Sequence, residues 1–447
     1  MSSPWLRFLP AALRRRVEGR SQVQTILGNI SWLSFDRIVR MGVGLVVGVW
    51  VARYLGREQF GTLNFAAAFV SLFSPLAVLG LDSIVIRDLV GSPAQGHRTL
   101  GTAFVLKFLG GIVSGLAGIG LILVTRPGEP LLQMLVIIAA AGVLLQSLDV
   151  IDFWFQSQVR AKYVVYARNS AFLLVAAVRV VLIILQAPLI AFAWAAFCEL
   201  GLAAVGLLVF YRQQGQRLIA WRGGIERAKA LLHDSWPLFL SGVSVAIYMR
   251  IDQVMIGYML NDAAVGTYSV AIRLVEIWYF LPSAIGASVL PALIKARKED
   301  ESFYTQRLQT FYDVMGGLSL IVAVVMSLLS TPIITLLYGE KFEGAGPILA
   351  VYAWAAVPVF LGAASSQHFV VENLTRVSLY RTFAGVVTNV CLNLLLIPIL
   401  GPVGAAVASL VSQMVVAFSI ALIPGTGRQA GMLLAALNPL KTLRHFT

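Results

Sequence analysis

Long apolar stretches, separated by short polar ones, run through the whole chain. Crossing a bilayer as a helix takes about 20 predominantly apolar residues, and windows of at least this length recur along the sequence. They lie at 26–52, 61–82, 100–125, 131–156, 163–186, 189–211, 237–260, 264–292, 309–337, 346–370, 378–399 and 403–424. The pattern predicts an all-α polytopic membrane protein with about 12 transmembrane helices and short connections.

The second half of this pattern repeats the first. A shift of 204 residues places Tyr54 on Tyr258, and a shift of 205 places Gly61 on Gly266. The repeat predicts two six-helix lobes related by pseudo-two-fold symmetry, and parallel repeats of this kind usually place a substrate path at their interface. It therefore favours a transporter. The predicted segments are a basic N-terminal segment 1–25, an N-lobe 26–211, a linker 212–236, a C-lobe 237–424 and a tail 425–447.

Composition supports the membrane interpretation. Apolar residues make up 58% of the chain and charged residues 12%, whereas soluble domains carry about 25% charged residues. So little charge excludes a soluble enzyme and a nucleic-acid-binding protein, and we expect no nucleic-acid partner. The two cysteines show no metal-ligand spacing, and no nucleotide-binding glycine pattern occurs. We therefore expect neither a metal site nor a cofactor.

The net charge of +13 is distributed unevenly between the two sides of the predicted bundle. Of the 34 Lys and Arg residues, 24 fall on the side of the two termini and four on the opposite side. Because cytoplasmic loops carry the excess of Lys and Arg, both termini are predicted to be cytoplasmic. The chain is thus expected to be a multi-pass protein of the plasma membrane.

Ionisable residues also lie inside the predicted spans. A cation at a helix centre costs about 2.5–3.5 kcal/mol on the insertion scale, so it must face protein, water or a ligand. Six cations face four acids: Arg37, Arg40, Lys107, Arg179, Arg250 and Arg273 against Asp36, Glu199, Asp252 and Glu276.

Two interpretations of these charges stay open. In one, the charges only hold helices together, and the spacing suits the pairs Asp36–Arg40 and Arg273–Glu276. In the other, the excess of cations binds an anionic substrate, for which Arg is well suited because its guanidinium bonds two phosphate oxygens at once. Three acids are candidates for carrying a coupled proton, because burial favours their protonated form: Glu199, Asp252 and Glu276.

The first eighty or so residues carry motifs of a known family. These are Gly28-Asn29-Ile30-Ser31-Trp32, then Ala52-Arg53-Tyr54-Leu55-Gly56-Arg57-Glu58-Gln59-Phe60-Gly61, then Gly80-Leu81-Asp82. With them the chain resembles the bacterial polysaccharide repeat-unit flippases (O-antigen or exopolysaccharide, Wzx-type). Their superfamily also holds the multidrug MATE exporters and the lipid II flippases. The resemblance implies a V-shaped pair of lobes around a central cationic cavity.

The resemblance also implies a function and its partners. The expected activity is transfer of undecaprenyl-diphosphate-linked oligosaccharide repeat units from the cytoplasmic to the periplasmic leaflet of a bacterial inner membrane. The flipped units serve lipopolysaccharide or exopolysaccharide synthesis, and transfer proceeds by alternating access without enzymatic chemistry. Partners are then the lipid-linked oligosaccharide diphosphate, membrane lipids and a polysaccharide polymerase machinery. We expect Arg37, Arg40, Arg250 and Arg273 to hold the diphosphate and sugar, with Arg53 receiving it near the exit.

Two other functions are weighed against this one. A cation-coupled MATE-type exporter of small molecules usually needs an acidic, aromatic pocket, and the excess of cations argues against it. A membrane-embedded transferase or polymerase needs a reactive acid or base at the periplasmic face. The acids predicted there are scattered over four loops: Glu58, Glu129, Asp262, Glu340 and Glu343.

Overall fold

The computed structural model describes residues 21–372, 375–422 and 427–437. These residues form α-helices and short 3₁₀ turns, with no β-strand among them. The helices of the N-terminal half are α1 (Ser21–Phe73), α2 (Pro75–Val78), α3 (Asp82–Gly91), α4 (Gly96–Thr125), α5 (Pro130–Leu145), α6 (Val150–Ser157), α7 (Ala161–Ile184) and α8 (Leu189–Gln213). Those of the C-terminal half are α9 (Ile225–Met259), α10 (Asp262–Glu276), α11 (Phe280–Glu299), α12 (Glu301–Leu328), α13 (Ser330–Tyr338), α14 (Ala345–Tyr352), α15 (Ala356–Val371), α16 (Thr375–Leu400), α17 (Pro402–Phe418) and α18 (Gly427–Ala435).

Within the described part of the chain, eleven helical stretches are long and apolar enough to cross a membrane. The number is one below the predicted twelve because predicted spans 1 and 2 form one stretch, Val39–Phe73. That stretch breaks at Gly56, whose φ of 72° and ψ of 179° are not helical. Only glycine adopts such angles readily, so α1 consists of two arms, 21–55 and 57–73. The all-α polytopic fold class is confirmed.

Two predicted helix ends were placed too far along the chain. The second span was expected to reach residue 82, but α1 ends at Phe73. Pro75 then opens α2, and Leu79 and Gly80 both have positive φ. The ninth span, expected at 309–337, divides into α12 and α13 at Leu329. In both places a local turn interrupts an apolar run that hydropathy reads as continuous.

The chain divides into two compact units. The first unit comprises the described residues up to Val51 together with Phe73–Gly242, and the second comprises Ala52–Leu72 and the described residues from Val243 onward. The second arm of α1 thus groups with the C-terminal part of the chain. The lobe boundaries expected from the sequence stay a prediction.

In the first unit, the predicted linker packs against the helices that precede it. The Trp221 indole donates to the Tyr211 hydroxyl at 3.0 Å and lies 5.6 Å from the Phe104 ring. A little further on, Arg227 pairs with Asp88 at 2.6 Å. The linker is therefore fixed to α3, α4 and α8 by side-chain contacts.

In the second unit, the second arm of α1 lies directly against α10. A Cβ atom built on Gly61 would overlap the carbonyl of Asp262, and one built on Gly266 would overlap the carbonyl of Arg57. The Thr62 hydroxyl donates to the Asp262 carboxylate at 2.7 Å. These two glycines, which the internal repeat superimposes, allow the two backbones to touch.

Candidate functional site

A cavity of about 420 Å³ lies in the second unit, between the second arm of α1, α9 and α10. Its volume falls within the range of about 300–1,000 Å³ typical of ligand pockets. Its lining is largely polar: Asn64, Ala67, Ala68, Ser71, Arg250, Gln253, Ser269, Ile272, Arg273 and Glu276. Two of the arginines expected to bind substrate therefore share one cavity.

Helical spacing places these side chains on common faces. Residues three, four and seven apart lie on the same side of an α-helix, and Ser269, Arg273 and Glu276 follow this spacing on α10. On α9, Arg250 and Gln253 face the cavity, while Asp252 is buried on another side of the helix. The cavity and the buried Asp252 therefore lie on different faces of the helix.

The carboxylate of the cavity pairs with Arg250. Glu276 Oε1 lies 3.6 Å from Arg250 Nη1, a distance beyond a good hydrogen bond. The pair Arg273–Glu276, which the helical spacing suits, is not formed, because no described carboxylate lies within 4 Å of the Arg273 guanidinium. A cation placed N-terminal to its acid is the less favourable order on a helix, and a neighbouring helix offers Glu276 another partner. The cavity thus holds two guanidinium groups and one carboxylate.

The first unit contains a second group of cations. Glu199 lies 3.7 Å from Arg40 and 3.1 Å from Arg179, so one carboxylate faces two guanidinium groups. The Arg40 guanidinium also lies 5.0 Å from the centre of the Phe172 ring. The expected partner of Arg40, Asp36, lies outside the described side chains. Three residues before Arg40, Arg37 is exposed.

Lys107 is buried between helices of the first unit and does not line the cavity. It is 3% exposed, lies 3.9 Å from Asp82 and has the Phe153 ring 4.8 Å away. These contacts hold α4 against α3 and α6.

The Arg53 guanidinium donates hydrogen bonds to the C-terminal end of a helix. Its Nε donates to the carbonyl of Leu337 at 2.6 Å and its Nη2 to that of Leu336 at 2.5 Å. The last carbonyls of a helix lack partners within the helix, and a guanidinium there also favours the helix dipole. This contact secures the end of α13, and the expected role of Arg53 in receiving substrate stays a prediction.

Asp252 lies at the centre of a buried polar network in the second unit. It is 5% exposed and accepts hydrogen bonds from Asn393 at 2.6 Å, from the Tyr268 hydroxyl at 2.7 Å and from the Ser409 hydroxyl. Asn393 in turn donates to Asn389 at 3.0 Å. No described Lys or Arg lies within 4 Å of this carboxylate. The net charge at such a carboxylate can change when it takes up a proton or binds a small cation.

Several residues of the Asp252 network and of the cavity were not predicted from the sequence. Tyr268 and Ser409 come from α10 and α17, and nothing in either helix alone shows that it meets Asp252. The alignment of Asn389 and Asn393 on one helix face was visible at a spacing of four residues. Asn64 and Ser71 line the cavity as well, at a spacing of seven. In the sequence, this spacing of seven residues was the only sign that Asn64 and Ser71 share a helix face.

The amino-acid sequence matches a known protein family. Residues 50–347 match the sequence profile described as "Polysaccharide biosynthesis protein". "Probable flippase AglR" of Haloferax volcanii is 30% identical over 194 residues, which are 42% of this chain and 40% of that protein. "Probable low-salt glycan biosynthesis flippase Agl15" of the same organism is 24% identical over 191 residues, again 42% and 40%. The match spans about two-fifths of the length of each relative.

Solved structures share the fold. The lipid II flippase MurJ, in an inward closed conformation, has a TM-score of 0.70 at 15% identity, covering 93% of this chain and 91% of that one. An inward-facing multidrug resistance MATE family transporter of the MOP superfamily has a TM-score of 0.67 at 17% identity, covering 91% and 99%. These likenesses show that the chain has the fold of these transporters. The sequence profile covers more than half of the chain, and it shows that the chain belongs to the family of polysaccharide biosynthesis proteins.

Proposed function

We propose that this protein is a flippase that transfers lipid-linked anionic oligosaccharides across the membrane by alternating access. The observation that supports this best is the cavity of the second unit, where Arg273 has no described carboxylate partner and Arg250 pairs with Glu276 at 3.6 Å. A polar cavity with an excess of guanidinium groups suits a diphosphate. The family profile and the names of the two archaeal relatives point the same way.

Arg273 is the proposed primary ligand of the diphosphate. A guanidinium binds two phosphate oxygens in one plane, and that of Arg273 is not held by a carboxylate. Arg250 contributes a second positive charge, because its ion pair with Glu276 is too long to satisfy its hydrogen bonds. Arg37 and Arg40 of the first unit are proposed as further contacts for the anionic head group, and Arg53 as a late contact.

Asp252 is the proposed coupling acid. Glu199 and Glu276 each lie within 4 Å of an arginine, so we assign them to ion pairs. Asp252 has only neutral hydrogen-bond partners among the described residues. Uptake of a proton or a small monovalent cation at this carboxylate would change the charge of the second unit and drive the conformational cycle.

The cellular setting is part of the proposal. The charge distribution favours a plasma membrane protein with both termini in the cytoplasm. We propose undecaprenyl diphosphate as the lipid carrier and the periplasmic leaflet as the destination, where polysaccharide polymerase machinery uses the flipped unit for surface polysaccharide synthesis. The protein itself then acts as a transporter and not as an enzyme.

The direct test is flipping of a fluorescent undecaprenyl-diphosphate oligosaccharide in vesicles containing the purified protein. Arg273→Ala is expected to lower the initial rate about tenfold or more, because a contact to a charged group contributes about 1.5–3 kcal/mol. Arg273→Lys should recover only part of the rate, since an ammonium lacks the planar fork. Arg273→Glu should be the slowest, because it adds repulsion.

A matched control removes a cation outside the cavity. Arg222 is exposed in the linker, so Arg222→Ala should flip at the wild-type rate. Normal flipping by Arg273→Ala at equal protein levels would refute the assignment of this residue. Export of a cationic dye by the wild type, with no flipping of the diphosphate, would replace the proposal with a MATE-type exporter.

A further inference from the structure

Arg381 is a buried cation that does not belong to the cavity. It is one of the 24 cations assigned to the side of the termini, although the predicted span 378–399 contains it, and it lies within α16 and is 5% exposed. Its Nη1 donates to the Ser365 hydroxyl at 2.6 Å, and its Nη2 donates to the Ser366 hydroxyl at 2.5 Å and the Gly362 carbonyl at 3.2 Å. The Phe369 ring lies 4.7 Å from the guanidinium.

All of these partners are neutral. No described carboxylate lies within 4 Å of Arg381, and both serine hydroxyls already donate to the Gly362 carbonyl at 2.9 Å. An arginine does not lose its proton in a protein, so its charge stays in the interior. Burying a charge without an opposite charge is strongly unfavourable. The structure therefore leaves one positive charge of the second unit uncompensated at this point.

Three hydrogen-bond donors near this charge have no partner among the described residues. They are the Nε of Arg381 and the hydroxyls of Tyr248 and Tyr312, each atom being fully buried. Buried polar atoms are nearly always hydrogen-bonded, and an exception calls for an absent water or ion. Three orphaned donors around one cation point to a group that accepts hydrogen bonds.

The helix packing places both tyrosines close to the helices that hold Arg381. The Tyr304 hydroxyl bonds His368 at 2.7 Å, so the start of α12 meets the end of α15. Because the two helices run antiparallel, Tyr312, two turns further along α12, lies level with the turn of α15 that holds Arg381. Residue 385 follows Arg381 by one turn, and a Cβ there would lie 3.7 Å from the Tyr248 ring. Both hydroxyls are also within electrostatic range of the guanidinium.

We propose that Arg381 Nε and the hydroxyls of Tyr248 and Tyr312 bind a small monovalent anion, chloride in the cell. An anion accepts all three hydrogen bonds and neutralises the charge, whereas a water molecule leaves the charge in place. The site is enclosed by protein, because Tyr312 is 0% exposed and Arg381 5% exposed, which favours a small ion. The bound ion would connect α9, α12, α15 and α16. This site is independent of which substrate the cavity carries.

Thermal unfolding of the purified full chain in detergent tests the site. A ligand that binds only the folded protein stabilises it by mass action, so chloride or bromide should raise the unfolding temperature relative to gluconate at equal ionic strength, and the rise should saturate. Tyr312→Phe and Tyr248→Phe should each weaken the apparent halide affinity about tenfold, as expected for one hydrogen bond to an ion. Each change removes only a hydroxyl group and keeps the aromatic ring, so both variants are expected to fold.

Two controls locate the effect. Tyr211→Phe alters a fully buried tyrosine of the first unit and should keep the full halide dependence. Arg273→Ala should also keep it, and its loss there would overturn the proposal by placing the halide in the cavity. Crystals grown in bromide should show an anomalous peak within hydrogen-bonding distance of Arg381 Nε. An absent peak, or equal unfolding temperatures in chloride and gluconate, would likewise overturn it.

Discussion

At the scale of single residues, Asp252 shows how a buried charge is tolerated without a cation. A carboxylate removed from water is costly unless it is hydrogen-bonded. Here an amide and two hydroxyl groups, from three other helices, provide the hydrogen bonds. All three donors are neutral, so the site can hold either the carboxylate with a bound cation or the protonated acid. An ion pair with arginine would have fixed one charge state.

Asp252→Asn is therefore expected to abolish coupling while preserving the fold. The carboxamide has nearly the same shape but cannot take up a proton or attract a cation. We expect the flipping rate to lose its response to an imposed proton or sodium gradient, falling about tenfold or more to the rate without a gradient. The measurement is flipping in vesicles with and without each gradient.

Asp313→Asn is the matched control. Asp313 is also buried in the second unit, at 3% exposure, and accepts from Gln309 at 2.7 Å. It belongs to no part of the proposed site, so this variant should still respond to the gradient. An unchanged gradient response in Asp252→Asn would remove Asp252 from the mechanism and return Glu199 and Glu276 as candidates.

At the scale of helices, the contact between the second arm of α1 and α10 depends on two glycines. Gly61 and Gly266 leave no room for a Cβ atom, because a backbone carbonyl occupies that space on the opposite helix. A backbone cannot move aside as the end of a flexible side chain can. The same two helices carry Asn64 and Arg273 into the cavity, so the contact also fixes the spacing of the cavity walls.

Gly61→Val and Gly266→Val are each expected to force these helices apart. Overpacking of this kind costs about 1–3 kcal/mol, so the unfolding temperature in detergent should fall and flipping should slow. Gly120→Val is the control, because nothing lies within 4 Å of a Cβ built there. If the two valine variants unfold at the wild-type temperature, the close contact of the backbones is not part of the working structure.

The sequence predicted single helices well and contacts between helices poorly. The spacing of 100° per residue separates the Arg250 face of α9 from the Asp252 face, and the structure bears this out. The partner of Glu276 was missed because the choice between Arg273 and Arg250 depends on the distance between α9 and α10. Arg381 was counted with the cations of the terminal side because hydropathy does not show that neighbouring helices bury the start of α16. Gly56 interrupts a helix by its backbone angles alone, so hydropathy cannot detect it.

At the scale of the whole molecule, the orientation depends on how often α1 crosses the membrane. Val39–Phe73 spans 35 residues, or about 52 Å at 1.5 Å per residue, which exceeds the bilayer core of about 30 Å. If the break at Gly56 reverses the chain, the two arms cross separately and the number of crossings is twelve. If α1 crosses only once, the number is odd and the two termini lie on opposite sides.

Reporters that distinguish the two sides of the membrane decide between these cases. Fusions at residue 1 and after Thr447, and an insertion after Ala220, an exposed residue of the linker, should all report the cytoplasm. An insertion at Asn261, which caps α10 by accepting from the backbone N–H of Ala264, should report the opposite side. This outcome is expected because most of the 34 cations then lie on the cytoplasmic side. A C-terminus on the outer side with a cytoplasmic N-terminus would show an odd number of crossings. It would end the six-plus-six repeat and, with it, the inference that Gly61 and Gly266 are equivalent positions of two lobes.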